Sequence, residues 1–211
     1  SGRPMNRLLQ GDVGSGKTVV AALAAAMITS NGAQAAIMAP TTILAEQHYR
    51  SLTKLLKDLL KPEEIRLLVG DTPDAEKEEI RNGLANNTVK IVIGTHAVIE
   101  PNIQFAELQF VVIDEQHRFG VEQRAELRSK GTNPHLLVMT ATPIPRSLAL
   151  TLYGDLDISL MNEMPKGRQP VSTFVLRPQE RERAFTVLRG KIQDGRQAFI
   201  IYPLIEESES I

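Results

Sequence analysis

Apolar residues in this chain fall in short runs, separated by longer stretches where they recur at helical spacing. Met5 to Gln10 reads as a strand built on Arg7-Leu8-Leu9, and alanine-rich Lys17 to Ser30 reads as a buried helix stopped by Asn31-Gly32. A second strand at Ala35 to Ala39 leads to a helix over Ile43 to Leu60, with Lys and Arg outward and Thr41 or Thr42 as its cap. Strands follow at Arg66 to Val69 and Val89 to Ile93, with a turn at Gly70-Asp71-Thr72-Pro73 and a charged helix over Ala75 to Asn86 between them. Phe110 to Ile113 is the most apolar run, the look of a central strand buried on both faces. A basic helical stretch around Val121 to Lys130 and a sixth strand at His135 to Met139 complete the series.

Strands alternating with helices in this way predict an α/β fold, a doubly wound parallel sheet with helices on both faces. Ligands of such sheets gather at the carboxyl ends of the strands. Small and polar clusters stand at those ends here: Gly11 onward, Pro40-Thr41-Thr42, Gly94-Thr95-His96, Asp114-Glu115-Gln116-His117 and Thr140-Ala141-Thr142.

After Tyr153-Gly154-Asp155 the pattern changes. Asn162 to Gln169, with Pro165 and Gly167, reads as a connector. Val171 to Leu176 then reads as a strand, Gln179 to Asp194 as an amphipathic helix and Ala198 to Tyr202 as a strand. About 40 residues cannot close a core of their own, so the chain is expected to stop inside a second domain. The expected organisation is a first domain over 1–160, a linker over 161–170 and an incomplete second domain over 171–211.

Composition narrows the chemistry. With 42% hydrophobic and 23% charged residues among 211, the chain can bury a sizeable core. Its 24 Lys and Arg balance 25 Asp and Glu, so any nucleic-acid contact must be local, made by backbone amides, hydroxyls and a few placed cations. Cysteine is absent, which excludes disulfides and thiolate chemistry and suits a reducing cytoplasm. No apolar run approaches a membrane span, so no membrane partner is expected.

Gly11-Asp12-Val13-Gly14-Ser15-Gly16-Lys17-Thr18 has the spacing of a phosphate-binding loop, between a strand and a helix as that motif requires. Successive N–H groups of such a loop point at phosphate oxygens, and the helix N-terminus adds positive charge. Lys17 should reach the β- and γ-phosphates, and the Thr18 hydroxyl should ligate Mg²⁺. In Asp114-Glu115 successive side chains on the strand face different ways. Asp114 suits a carboxylate holding the metal, and Glu115 a general base that polarises water. An adjacent Asp-Glu after apolar residues, downstream of that loop, marks a nucleoside triphosphatase. Gln116, His117, Thr140 and Thr142 are less specific by chemistry; hydroxyls at Thr140 and Thr142 could relay between the nucleotide site and the next surface. His48 and His135 read as structural, and the four histidines are too scattered for a metal site.

These clusters, in this order, resemble the motor motifs of superfamily-two helicases. Within that group, Met5 to Thr18, Asp114 to Val121, Met139 to Arg146 and Tyr153 to Asp157 resemble the bacterial branched-DNA helicases, a likeness that spans essentially the whole chain. The related transcription-repair coupling motors typically carry a second Glu where this chain has Gln116; that and Glu163-Met164-Pro165-Lys166-Gly167-Arg168 favour the branched-DNA family. The resemblance implies a RecA-like domain followed by the start of a second, with ATP and Mg²⁺ as ligands. It implies a monomeric bacterial cytoplasmic motor that moves on double-stranded DNA and remodels stalled forks and Holliday junctions. Carried over by position, Lys17, Thr18, Asp114 and Glu115 serve ATP hydrolysis. Pro40, Thr41, Thr42, Gly94, Thr95 and His96 match motifs that touch the DNA backbone, positioning without reading sequence. Gln116, His117, Thr140 and Thr142 match positions that couple hydrolysis to movement.

Set against that family, the wedge domain, the segment that seats adenine and the arginine finger are expected to lie outside these 211 residues. The finger is worth on the order of a thousandfold or more in rate. Weak ATP binding, poor turnover and no unwinding are therefore expected of the chain by itself. Two other readings stand: a translocase that pushes a protein along DNA without opening strands, and a nucleotide switch or small-molecule kinase using the same loop. A non-hydrolysing scaffold is disfavoured by the presence of Lys17, Thr18, Asp114 and Glu115.

Overall fold

Successive residues of a strand point to opposite faces of a sheet, so a sheet covered on both sides needs apolar residues at both parities. That is how this chain is built. A computed structural model describes residues 3–114, 126–142, 156–163 and 171–201. The chain divides into two units, Ser1–Gly167 and Arg168–Ile211.

In the first unit β1 (Asn6–Gly11) leads to α1 (Lys17–Ser30), β2 (Gln34–Met38) to α2 (Thr42–Leu56), and β3 (Ile65–Leu68) to α3 (Asp74–Ala85). Then come β4 (Ile91–Gly94), β5 (Leu108–Asp114), β6 (His135–Thr140) and β7 (Asp157–Met161). All pairings are parallel, in the order β3-β4-β2-β5-β6-β1-β7. On β5, Phe110 and Val112 join one buried cluster with Ala21, Ala22 and Ala25 of α1 and Ala45, Leu52 and Leu56 of α2. Val111 and Ile113, one residue out of phase, join the other cluster with Ile80 and Leu84 of α3. The sheet is thus doubly wound, as its alternation predicts. The alanines of α1 leave little side chain between helix and sheet, which brings the loop that starts this helix close over the strand ends.

The amino-terminal ends of the strands are fastened by a buried amide. Gln34 donates through Nε2 to the Leu84 and Val89 carbonyls at 2.9 and 2.8 Å, and its Oε1 accepts from Glu107 N at 2.9 Å. A buried amide with both donors and its oxygen engaged helps to specify register. His135 is likewise structural, its Nδ1 accepting from Met5 N at 2.8 Å.

Two expectations need correction. The sheet has a seventh strand, β7, where sequence patterning stops at six: it runs along the edge beside β1, with Arg7 donating to Ser159 Oγ at 2.7 Å and pairing with Asp157. An edge strand is half solvated, so its apolar signal is weak, and only the alternation of Ile158 and Leu160 with Asp157 and Ser159 marks it. In the second unit, α4 (Arg181–Gln193) forms where a helix is expected. Val171 to Leu176 and Ala198 to Tyr202 are expected as strands; none is assigned over 171–176 or 198–201, Tyr202 lies outside the described residues, and Phe174 and Val175 are 74% and 97% exposed. A strand is a pairing rather than a property of one segment, and these find no ladder among the described residues. No described side chain of that unit is buried.

Candidate functional site

β1 delivers the chain to the sheet's carboxyl edge at Gly11, and a tight loop carries it into α1. The Asp12 carbonyl accepts from Ser15 N at 3.1 Å, and Asp12 Oδ1 from Val13 N at 2.7 Å. Gly14 and Gly16 have φ of +82° and +99°, the left-handed region that a side chain would strain. Gly16 is the N-cap of α1, and no side chain caps that end. The first N–H groups of a helix have no partner within it, and the first turn of α1 carries no acid to offset the dipole. Lys17 Nζ folds over the loop to the Gly11 and Asp12 carbonyls at 2.6 and 3.0 Å. Ser15 Oγ is buried with no partner among the described residues. Among the described residues, a helix start with no side-chain cap, an ammonium bound to two carbonyls and a buried hydroxyl without a partner form a cradle that fits phosphate oxygens.

Asp114 closes β5 and is buried at 8% exposure; its Oδ2 lies 2.6 Å from Nε2 of His48 on α2, itself 7% exposed. His48 is buried, as a structural histidine would be, but what it holds is the acid assigned to the metal. Sequence separation hides this pair, because helical spacing at Ala45, His48 and Leu52 says only that the imidazole faces the core. Glu115, Gln116 and His117 lie outside the described residues.

The strand order refines how the loop and the acid meet. They are not on adjacent strands: β6 stands between β1 and β5, with Gln10 opposite Thr140 and Met139 opposite Asp114. At a strand spacing near 4.8 Å, the tips of β1 and β5 are about 10 Å apart on one edge. Thr140, fully buried between them, accepts through Oγ1 from Thr142 N at 3.1 Å. Beside the loop, a cleft of about 270 Å³ opens between Gly11, Asp12 and Ala141 and the β7 residues Leu160 and Met161. The sequence reading misses that wall because it misses β7.

The other two clusters stand further along the same edge. Thr41 caps α2, its Oγ1 accepting from Leu44 N at 3.3 Å, with Pro40 and Thr42 beside it at the end of β2. Thr95 and exposed His96 follow Gly94 at the end of β4, the strand beyond β2. Gly94 has a steric duty of its own. A Cβ there would run into the Leu68 backbone carbonyl, with Val98 Cγ2 at 2.7 Å. Gly94→Ala is expected to cost about 3 kcal/mol, since backbone atoms cannot yield as side chains do. Thermal unfolding of the variant measures it; an unchanged midpoint would remove the steric reason for glycine here.

A parallel sheet with a phosphate cradle at one strand end and a buried acid two strands away defines a RecA-like nucleotide-binding domain. Which one is decided by comparison: residues 2–151 match the family model described as DEAD/DEAH box helicase, and the chain belongs to that family. A relative from Synechocystis named ATP-dependent DNA helicase RecG is 52% identical over 99% of this chain and 25% of its own length. One of the same name from Thermotoga maritima is 50% identical over 100% of this chain and 27% of its own. A solved structure of RecG bound to a three-way DNA junction superposes with a TM-score of 0.80 at 48% identity, covering 97% of this chain and 27% of that one. The chain therefore spans about a quarter of the length of these relatives.

Proposed function

We propose that this chain is the nucleotide-binding motor portion of a RecG-type helicase that spends ATP to move on double-stranded DNA and remodel branched structures such as forks and Holliday junctions. One observation carries the reading: the phosphate loop, Asp114 and Thr140 occupy three consecutive strand ends, and Pro40–Thr42 and Gly94–His96 the next two, on one edge of one sheet. A nucleotide half and a DNA half then share a rigid frame.

In this reading Lys17 leaves the Gly11 and Asp12 carbonyls for the β- and γ-phosphates, while loop N–H groups and Ser15 take phosphate oxygens. Thr18 and Asp114 would hold Mg²⁺. Among the described residues no three His, Cys, Asp or Glu cluster to hold a metal, which fits a cation completed by nucleotide and water. The chemistry supplied by bound Mg²⁺ is neutralisation of charge on the transferring phosphoryl group. Glu115 would take the proton of attacking water. Pro40, Thr41, Thr42, Gly94, Thr95 and His96 would meet the sugar-phosphate backbone. Gln116, His117, Thr140 and Thr142 would pass the nucleotide state to it.

The division at Gly167 supports a first motor domain over 1–160, a linker over 161–170 and the beginning of a second RecA-like domain over 171–211. A monomeric motor in the bacterial cytoplasm completes the proposal. Among the described residues no helix is long and apolar enough to cross a membrane. The test is ATP turnover by the full-length protein with forked DNA, linear duplex or none. Forked DNA is expected to raise turnover by roughly tenfold or more, within the usual range of coupling between sites. Turnover indifferent to every DNA would favour a nucleotide switch, and removal of a blocked polymerase without strand opening would favour the protein-pushing translocase.

A further inference from the structure

His48 has no assigned role in the motor, yet it is the side chain on which the metal carboxylate rests. Both partners are buried, and a buried imidazole or carboxylate is costly unless it is hydrogen-bonded. Their separation, 2.6 Å, is a hydrogen-bonding distance. An apolar residue would fill this core-facing position of α2 as well as its neighbours Ala45 and Leu52 do, so volume alone gives no reason for histidine. The bond engages Oδ2 and fixes the carboxylate's rotation, leaving Oδ1 as the oxygen not held by His48.

The bond also ties the acid to a particular helix. α2 starts at Thr42 behind the Thr41 cap, and His48 stands about two turns, roughly 10 Å, along it. We propose that His48 is a positioning residue for Asp114: it sets the carboxylate for Mg²⁺ and carries any displacement of the α2 N-terminus, where DNA is proposed to bind, to the metal site. This rests on the nucleotide and DNA assignments proposed above. The coupling is geometric, with α2 as the rigid element and the Nε2–Oδ2 bond linking it to the acid.

The experiment uses the full-length protein and a fluorescent ATP analogue, reading the Mg²⁺ concentration that gives half-maximal binding. His48→Leu keeps the volume and removes the bond; His48→Asn shortens the donor out of reach; His48→Gln carries an amide nitrogen to about the place of Nε2. Leu and Asn variants are expected to need about tenfold more Mg²⁺, the usual cost of losing a residue that orients a metal ligand. Binding in EDTA should stay at the parent level in both. His48→Gln should recover most of the affinity, and forked DNA should stimulate the Leu and Asn variants roughly tenfold less than the parent. If His48→Leu does not fold, by thermal melting, His48→Asn carries the same comparison. A folded Leu or Asn variant with the parent's Mg²⁺ dependence would overturn the role of His48 while leaving the nucleotide site standing. A parent protein that binds no nucleotide even with Mg²⁺ would overturn the site itself, and this inference with it.

Discussion

Lys17→Ala is expected to reduce ATP turnover of the full-length protein by about a thousandfold, the scale on which cations act at transferring phosphoryl groups. The reason lies in how the ammonium is held. Gly11 and Asp12 carbonyls lend it two hydrogen bonds but no formal counter-charge, so it is restrained within reach of the loop at small cost to release. Phosphate oxygens offer the same donors a full negative charge, and charge-assisted bonds are about twice as strong as neutral ones. Alanine removes that gain and also the tether across the loop. Lys17 is partly exposed, so the variant should melt within about 1 kcal/mol of the parent. Nucleotide binding by fluorescence and turnover with forked DNA check both statements. A variant that still binds nucleotide as the parent does would show that the cradle serves another purpose.

How much of this site can be read in the sequence depends on whether a signal is local. The loop, the start of α1 at Lys17 and its end at Ser30 are predicted to the residue, because glycine spacing and capping act over a few positions. The cap of α2 is legible to within one residue, Thr41 or Thr42, for the same reason, and it falls on Thr41. The unbroken apolar run Phe110 to Ile113 foretells burial on both faces, and the two clusters around α1–α2 and α3 are its result. What the sequence hides is lateral order. Nothing in the runs themselves says that β6 sits between β1 and β5, since strand order is fixed by how helices pack across the sheet. β7 is hidden because an edge position needs no strong apolar face, and the His48–Asp114 bond because its partners are separated by 66 positions. The strands expected at Val171 to Leu176 and Ala198 to Tyr202 are over-read in their described residues for a related reason: β-propensity describes readiness to pair, and pairing needs a neighbour.

Asp114→Asn should separate the metal from the phosphates as contributors. The amide is nearly the size of the carboxylate and can still accept from His48, so packing at the tip of β5 is preserved. A buried neutral amide is also cheaper to desolvate than a buried carboxylate, so the fold should be no less stable than the parent's. What disappears is the negative charge two strands from the loop. Turnover is expected to fall by about a hundredfold to a thousandfold, as when one preorganised electrostatic partner is removed. Nucleotide binding in EDTA should be unchanged, while the gain in affinity that Mg²⁺ gives the parent should be largely lost. Lys17→Ala has the opposite signature, with binding impaired whether or not metal is present. The two variants together test whether one strand edge supplies the phosphate site and the metal site as distinct halves, about 10 Å apart across β6. Equal sensitivity of both variants to Mg²⁺ would mean that Asp114 does not serve the metal, and would leave the buried pair with His48 as a structural bond alone.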